Sequence, residues 1–453
     1  MKKISKNLVN ILKTKQVSMN LLKATIALLL IFSTACSTDD ESCGYEEICI
    51  SNQPNSEFAS FTVATCYSRD LGGDVAVIYD TRFNSQAPLG DDWATTTTTT
   101  QVTAMHPLNW KASEIGQVFG IAIDNNKNIY LASSDIYFDK DGFGAPEPST
   151  SSGNAIIYKC SPPNFTAIPF ITLPSSSDAL NDIGNIAYDK INNQLFATNL
   201  EDGKIYRITG LNSAIGTAVT FDPWAVDDGL GGIVNQDERV WAIGVNYEAG
   251  SVKVYFPRVK LNNTERSIYS ITLNPDGSFP IPSSEVREIA NVPGSQRIIS
   301  DIAFSSNFQE MLLAERGHPH QAKVISYTNG GTWGFNKKYF IGGNLSYSDH
   351  DNSAGGIDFA YKEVEEDISA ECDVFFWATG NYLIARNASI TPLYGFEGIE
   401  YSGNNSSTDP FATANQDTDL FIDFDGIGGV NFKGTIGDVE VFDAAQCFNL
   451  CDF

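Results

Sequence analysis

The chain has 453 residues, with 29 Lys and Arg against 55 Asp and Glu, a formal net charge of −26. So acidic a surface excludes nucleic-acid binding, which needs clustered cations to meet phosphate, and it disfavours anionic lipid faces; it favours solubility and cationic partners. Hydrophobic residues make up 42%, with 28 Phe, 18 Tyr and 37 Gly, a composition that suits an all-β protein with many turns.

Lysines at 2, 3, 6, 13, 15 and 23 precede an apolar run from Ala24 to Phe32, and the small residues Ser33, Thr34 and Ala35 lead into Cys36. This order predicts a secretory signal over residues 1–35. Its apolar run is shorter than the roughly 20 residues of a spanning helix. The Cys at the cut resembles a bacterial lipobox, which implies lipid attachment at Cys36. Ser37-Thr38-Asp39-Asp40-Glu41 is similar to the acidic tag that sends Bacteroidota lipoproteins to the cell surface, which implies an outer-membrane protein, lipid-anchored and facing outward. Removing residues 1–35 takes six lysines and no acid, so the charge moves from −26 to −32.

Residues 36–58 are acidic and polar without periodicity and read as a tether; residues 59–453 read as one domain. Seven cysteines remain after Cys36, at 43, 49, 66, 160, 372, 447 and 451. Export permits disulfides, and the odd number leaves one thiol over unless it pairs outside the chain. Cys43 with Cys49 and Cys447 with Cys451 are near enough for small loops. Cys160 and Cys372 lie in strand-like runs and read as buried small hydrophobes, and the pairing stays open.

From Ala59 onward, short β-rich runs alternate with turn residues. A motif recurs as Gly120-Ile121-Ala122-Ile123-Asp124, Asn185-Ile186-Ala187-Tyr188-Asp189, Ala242-Ile243-Gly244-Val245-Asn246 and Asp301-Ile302-Ala303-Phe304-Ser305. Looser copies start at Gly356 and Gly398. A second run follows most copies, such as Asn128–Ala132, Gln194–Thr198, Glu310–Ala314 and Val374–Ala378, and often a third, such as Gly203–Arg207. Repeated units of three or four antiparallel strands predict a β-propeller. Starts at 120, 185, 242, 301, 356 and 398 give six blades, with 135–153 and 214–238 as projecting loops. Ile436–Asp443 is similar to Gly73–Asp80, so the two ends are expected to share one blade and close the ring.

The pieces GIAIDNNKNIYLAS and NIAYDKINNQLFATNLEDGKIYRI resemble six-bladed propellers of the NHL and gluconolactonase-like kind, across most of residues 115–445. FDPWAVDDG, LLAERGHPH, NSAGGIDFAY and IGDVEVFD are similar to an uncharacterised bacterial family of secreted propellers, which carries no activity over. The lactonase-like resemblance implies a Ca2+ ion on the axis, held by hard oxygen ligands. Asn185, Asp301, Asp358 and Glu397 are its candidate ligands.

Other chemistry is sparse. Glu315, Arg316, His318 and His320 form the densest reactive cluster, able to supply a general base or two metal ligands. The plainer reading is an ion pair followed by surface histidines, and Pro319 opposes a regular strand aiming both rings alike. Asp222, Trp224, Asp227 and Asp228 put an aromatic beside carboxylates, a pairing usable for sugar or peptide recognition. There is no Gly-x-Ser-x-Gly elbow, His-Glu-x-x-His helix, phosphate loop or dinucleotide fingerprint. The expectation is therefore a non-enzymatic surface propeller that binds an outer-membrane protein or a surface glycan; the alternative is a calcium-dependent hydrolase or lactonase with an axial site.

Overall fold

A computed structural model describes residues 61–68, 71–81, 104–134, 155–174, 183–200, 202–223, 240–260, 265–282, 284–292, 297–317, 321–339, 341–342, 352–363, 370–383, 393–401, 420–424 and 435–442. They belong to a compact unit spanning Asn55–Phe453. Cys36, the signal and the tether lie outside them, as do His318, His320, Trp224, Asp227 and Asp228. Among the described residues no helix is long and apolar enough to cross a membrane.

Among the described residues there are six antiparallel four-stranded sheets, the blades of a six-bladed β-propeller. Blade 2 runs from β4 (Val118–Ile123) to β7 (Thr166–Thr172), and blade 3 from β8 (Ile183–Asp189) to β11 (Thr217–Phe221). Blade 4 runs from β12 (Gly244–Glu248) to β15 (Glu285–Ile289), blade 5 from β16 (Ile298–Phe304) to β19 (Trp333–Tyr339), and blade 6 from β20 (Ser353–Glu363) to β23 (Leu420–Asp423). The first strand of each is innermost, and each inner strand packs on the inner strand of the next blade.

Blade 1 closes the ring. Its inner strand is β24 (Ile436–Val441), and its outer strands are β1 (Thr62–Cys66), β2 (Ala76–Tyr79) and β3 (Ala104–Met105), in the order β24, β1, β2, β3. The chain ends thus share a blade as expected, with Val63 paired to Glu440 and Ala64 to Val439. Phe61 and Phe442 stack at 5.3 Å across the seam.

Two motif copies fall elsewhere than expected. The blade 4 inner strand starts at Gly244, two residues past Ala242. The copy at Gly398 lies in the third strand of blade 6, Leu393–Glu400, and the sixth inner strand is β24 instead. The slip at Gly398 has a plain cause: small and β-branched residues alternate equally well on inner and third strands, whereas the one at Ala242 is a two-residue offset along the approach to the inner strand itself. Part of 214–238, expected as loop, is strand β11, where Thr217–Phe221 pairs with Lys204–Thr209. Cys160 is a buried free thiol as expected. Cys372 departs from expectation, being disulfide-bonded; its partner lies outside the described residues.

Blades are wedge-shaped, so inner strands crowd. A methyl group added at Gly356 would stand 2.5 Å from the Asp438 Cα, and one added at Gly120 would stand 2.6 Å from the Asn185 Oδ1. Hydroxyl groups staple neighbours together. Thr65 accepts the Asp438 amide at 2.7 Å and donates to the Phe119 carbonyl at 2.9 Å. Thr198 does the same between Asn185 (2.9 Å) and Trp241 (2.8 Å), and Thr379 between Gly356 and Gly437, both at 2.8 Å. Ser300 joins blade 5 to blade 6 through the Gly355 carbonyl at 2.7 Å.

Overpacking a site of this kind costs about 1–3 kcal/mol. Gly356→Ala is therefore expected to lower the unfolding free energy by an amount in that range, seen as a lower urea midpoint at unchanged slope. Gly330→Ala, where an added methyl meets nothing within 4 Å, should leave it in place. Equal midpoints for the two variants would contradict the crowded axis.

Candidate functional site

Aligning the six inner strands on their close approach gives Asp438, Gly120, Asn185, Gly244, Asp301 and Gly356 in ring order. Polar residues from blades 1, 3 and 5 alternate with glycines from blades 2, 4 and 6, so three side chains reach the axis where three backbones make room. Each Asn or Asp folds back on its own strand. The Asn185 Oδ1 accepts the Ile186 amide (2.7 Å), the Asp301 Oδ1 that of Ile302 (2.8 Å), and the Asp438 Oδ1 that of Val439 (2.9 Å).

The second carboxylate oxygens reach the next blade: the Asp438 Oδ2 accepts the Ile121 amide (3.2 Å) and the Asp301 Oδ2 the Ile357 amide (2.8 Å). Asn185 donates to the Asp301 Oδ1 (2.9 Å) and to the Ser300 carbonyl (3.1 Å). Asp301 and Asp438 are hydrogen-bonded to each other. Two buried carboxyls in contact cannot both ionise, so the pair holds a proton between them. Burial pushes Asp301 up to about 7, against the amides that favour its charge. Burial first, and then the neighbouring Asp301, hold Asp438 well above the usual carboxylate range.

This plug divides the axis. At the mouth where the inner strands begin, Tyr67, Phe119, Leu200 and Trp241 cluster with Ile298. The Arg316 guanidinium lies 5.5 Å from the ring centres of both Tyr67 and Phe119, and its Nη1 donates to the Ile436 carbonyl (2.6 Å) and to the Ala354 carbonyl. Among the described residues, these buried side chains close that mouth. Where the inner strands end, a funnel of about 150 Å³ opens above the plug, and all six inner strands line it. Asp358 and Glu440 stand in its wall with Lys190, and Phe304, Phe308 and Phe442 supply an apolar side. Asp358 accepts the Val441 amide at 2.8 Å. Burial, then Asp358 and Asp301, raise Glu440 well above the usual carboxylate range, and Lys190 opposes them.

The rim is stiffened by turns. The Asp124 Oδ1 takes the amides of Asn126 (2.8 Å) and Asn128 (2.9 Å), and the Asp189 Oδ1 that of Ile191 (3.0 Å). Asp373 receives the Ser306 amide at 3.0 and 2.9 Å.

Of the candidates read from sequence, Asn185, Asp301 and Asp358 meet at or beside the axis. Glu397 does not: it sits on the third strand of blade 6, buried, accepting the Gly342 amide at 2.7 Å. Glu315 and Arg316 are consecutive on Glu310–Arg316, so their side chains leave on opposite faces. Arg316 seals the far mouth, while the Glu315 Oε2 accepts the Lys323 amide at 3.2 Å. Asp222 lies at the periphery beside Glu285, whose carboxyl it helps to raise after burial. Sequence reasoning missed Asp438 and Glu440. Their signal was the alternation of Gly with Asn or Asp before a β-branched residue, hidden because 436–443 was matched to an outer strand.

Calcium does not fit the axial trio. Its carboxylate and amide oxygens are already turned to main-chain donors and to the Asn185 amide instead of to a common point on the axis. Among the described residues no group of three His, Cys, Asp or Glu is arranged to hold a metal ion.

No family model and no curated protein matches the chain. Solved structures similar in fold include a Lactobacillus plantarum protein (9% identity, TM-score 0.41, 85% of this chain and 99% of that one). A periplasmic gluconolactonase from Pseudomonas aeruginosa is similar at 10% identity and TM-score 0.40, over 85% of this chain and 99% of that one. The SapL1 lectin in complex with alpha-methyl fucoside is similar at 12% identity and TM-score 0.39, over 77% and 97%.

The carboxyls of Asp301, Asp438 and Glu440 bind protons more tightly folded than unfolded. Their contribution is therefore full below the ordinary value of 3.8 for Asp and is lost as pH rises through the folded values. Between pH 4 and 8 the urea midpoint is expected to fall, and Asp438→Asn, which keeps a donor to Asp301, should flatten that slope. A wild-type midpoint that rises over this range would contradict the shared proton.

Proposed function

We propose that the chain is an exported, lipid-anchored outer-membrane propeller that works by binding a protein partner, with the axial funnel as its contact site. One observation carries the binding reading: the axis is a blind recess, plugged by side chains whose polar atoms are already spent on the backbone and sealed at the far mouth by Arg316. Nothing on the plug is left to polarise a substrate. A recess of about 150 Å³ is also below the roughly 300–1,000 Å³ of sites that enclose a whole small molecule, and suits a single protruding group. The address rests on the basic and apolar start, Cys36 and the acidic residues behind it.

A second reading, hydrolysis of a small ester or lactone, has one observation in its favour. Glu440, its carboxyl raised, stands in a cleft with Asp358, a general acid beside a second carboxyl. This reading needs no metal.

The test is capture of partners from native outer membranes by the lipidated protein, run beside pH-stat assays on a panel of lactones. Binding predicts a stoichiometric protein partner that Glu440→Gln loses, and no lactone turnover. Turnover abolished by both Glu440→Gln and Asp358→Asn would establish hydrolysis, and a captured polysaccharide would replace protein by glycan. For the address, Cys36→Ser is expected to abolish palmitate labelling and to move the protein out of the membrane fraction. A Cys36→Ser protein that stays labelled and membrane-bound would overturn the lipid anchor.

A further inference from the structure

The funnel is more selective than a generic recess. Glu440 is partly exposed and lines the funnel, yet its carboxyl makes no hydrogen bond to any described residue. A carboxyl so placed lacks a donor that the fold could have supplied, since the plug carboxyls a few residues away are fully met by amides. Asp358 adds a second carboxyl to the same wall, and Lys190 is the cation that lines the funnel with them. The rest of the lining sets Asp124, Asp301, Asp373, Asn125, Ser305 and Ser306 beside aromatic walls, where Phe308 packs edge-on against Tyr247 at 5.0 Å. Such walls accept a methylene stem and the face of a cation.

Size narrows the ligand. At about 30 Å³ per water-sized group, 150 Å³ holds about five heavy atoms, the size of a short side-chain end. Among the described residues no three of these carboxyls are placed to hold a metal ion, but Glu440 and Asp358 are a sufficient counter-charge for one ammonium.

We infer that the funnel receives a single primary alkylammonium group, with Glu440 and Asp358 as its counter-charges and the phenylalanine wall around its stem. The inference rests on the funnel being the contact site. The group would come from a lysine side chain of the partner or from a free short amine. Binding requires Glu440 to ionise, so it releases a proton to solvent and strengthens as pH rises from 6 to 8.

The experiment is isothermal titration of the full chain with n-butylammonium, in two buffers of different ionisation heat, at pH 6, 7 and 8. Controls are n-butanol, n-butylguanidinium and CaCl2. Expected are one site per chain, buffer-dependent heat reporting proton release, at least tenfold weaker binding by Glu440→Gln, and no binding of butanol. Butanol binding equal to the amine, Glu440→Gln binding within twofold of wild type, or preference for calcium or guanidinium would overturn the inference. Nα-acetyl-lysine amide binding more tightly than butylammonium identifies the protein side chain as source; weaker binding identifies a free amine. If the amine fails while partner capture still depends on Glu440, the ammonium inference falls and the contact site stands. If the amine binds while capture ignores Glu440, the contact reading falls alone.

Discussion

The structure hangs on three side chains that meet where six strands converge. Asn185, Asp301 and Asp438 occupy the point at which a ring of wedge-shaped sheets has least room, and charged groups are most costly where water is excluded. The cost is contained in two ways. Every oxygen accepts a main-chain amide or the Asn185 side chain, and the two carboxyls hold a proton between them so that only one negative charge is buried. An apolar plug would fill the same space, but it would leave inner-strand amides such as those of Ile121 and Ile357 without acceptors. Polar side chains suit the axis because the amides at the inner edge of a blade have no further strand to pair with.

Alternation follows from this. Six bulky residues could not fit at one level, and six glycines would leave a hole. Gly on every second blade gives each Asn or Asp its space and lets it bridge to the following strand. The threonine staples repeat the logic one strand out, since each takes an amide of its own blade and donates to a carbonyl of the next. Blade order is thus fixed by hydrogen bonds as well as by packing. In blade 1 the same device acts on strands from opposite ends of the chain, Thr65 with Asp438, so ring closure uses the kind of interaction that Thr198 supplies within blade 3 and Thr379 within blade 6.

These constraints explain what the sequence reveals. Inner strands are legible at Gly120, Asn185, Asp301 and Gly356 because crowding restricts them to small or short polar residues followed by a β-branched one. The copy at Gly398 misleads because third strands, packed between two neighbours, draw on the same alphabet, and the one at Ala242 because small residues also lead into the inner strand at Gly244. The site is less legible than the fold. Asp301 and Asp358 stand out within repeats, but Glu440 gains meaning only once β24 is known to be an inner strand, a fact of ring topology and not of local pattern. Glu397 looks equivalent in sequence and is not, since its strand lies two places from the axis. Arg316 shows the reverse. Beside histidines it reads as chemistry, whereas its position at the end of a second strand makes it a lid on the far mouth.

Plug and funnel are electrically one system. Asp301 belongs to both: it holds the shared proton below, lines the funnel above, and helps to raise Glu440. A cation entering the funnel would favour the ionised forms of Glu440 and of the Asp301–Asp438 pair together. Lys190 is a single charge facing several carboxyls, so it moderates this coupling without cancelling it. Three asparagines could not close the ring in this way, because each carboxamide has one accepting oxygen and the Ile121 and Ile357 amides would be left without acceptors. Two acids at the axis and two more in the wall above make the same closure sensitive to positive charge arriving from one side.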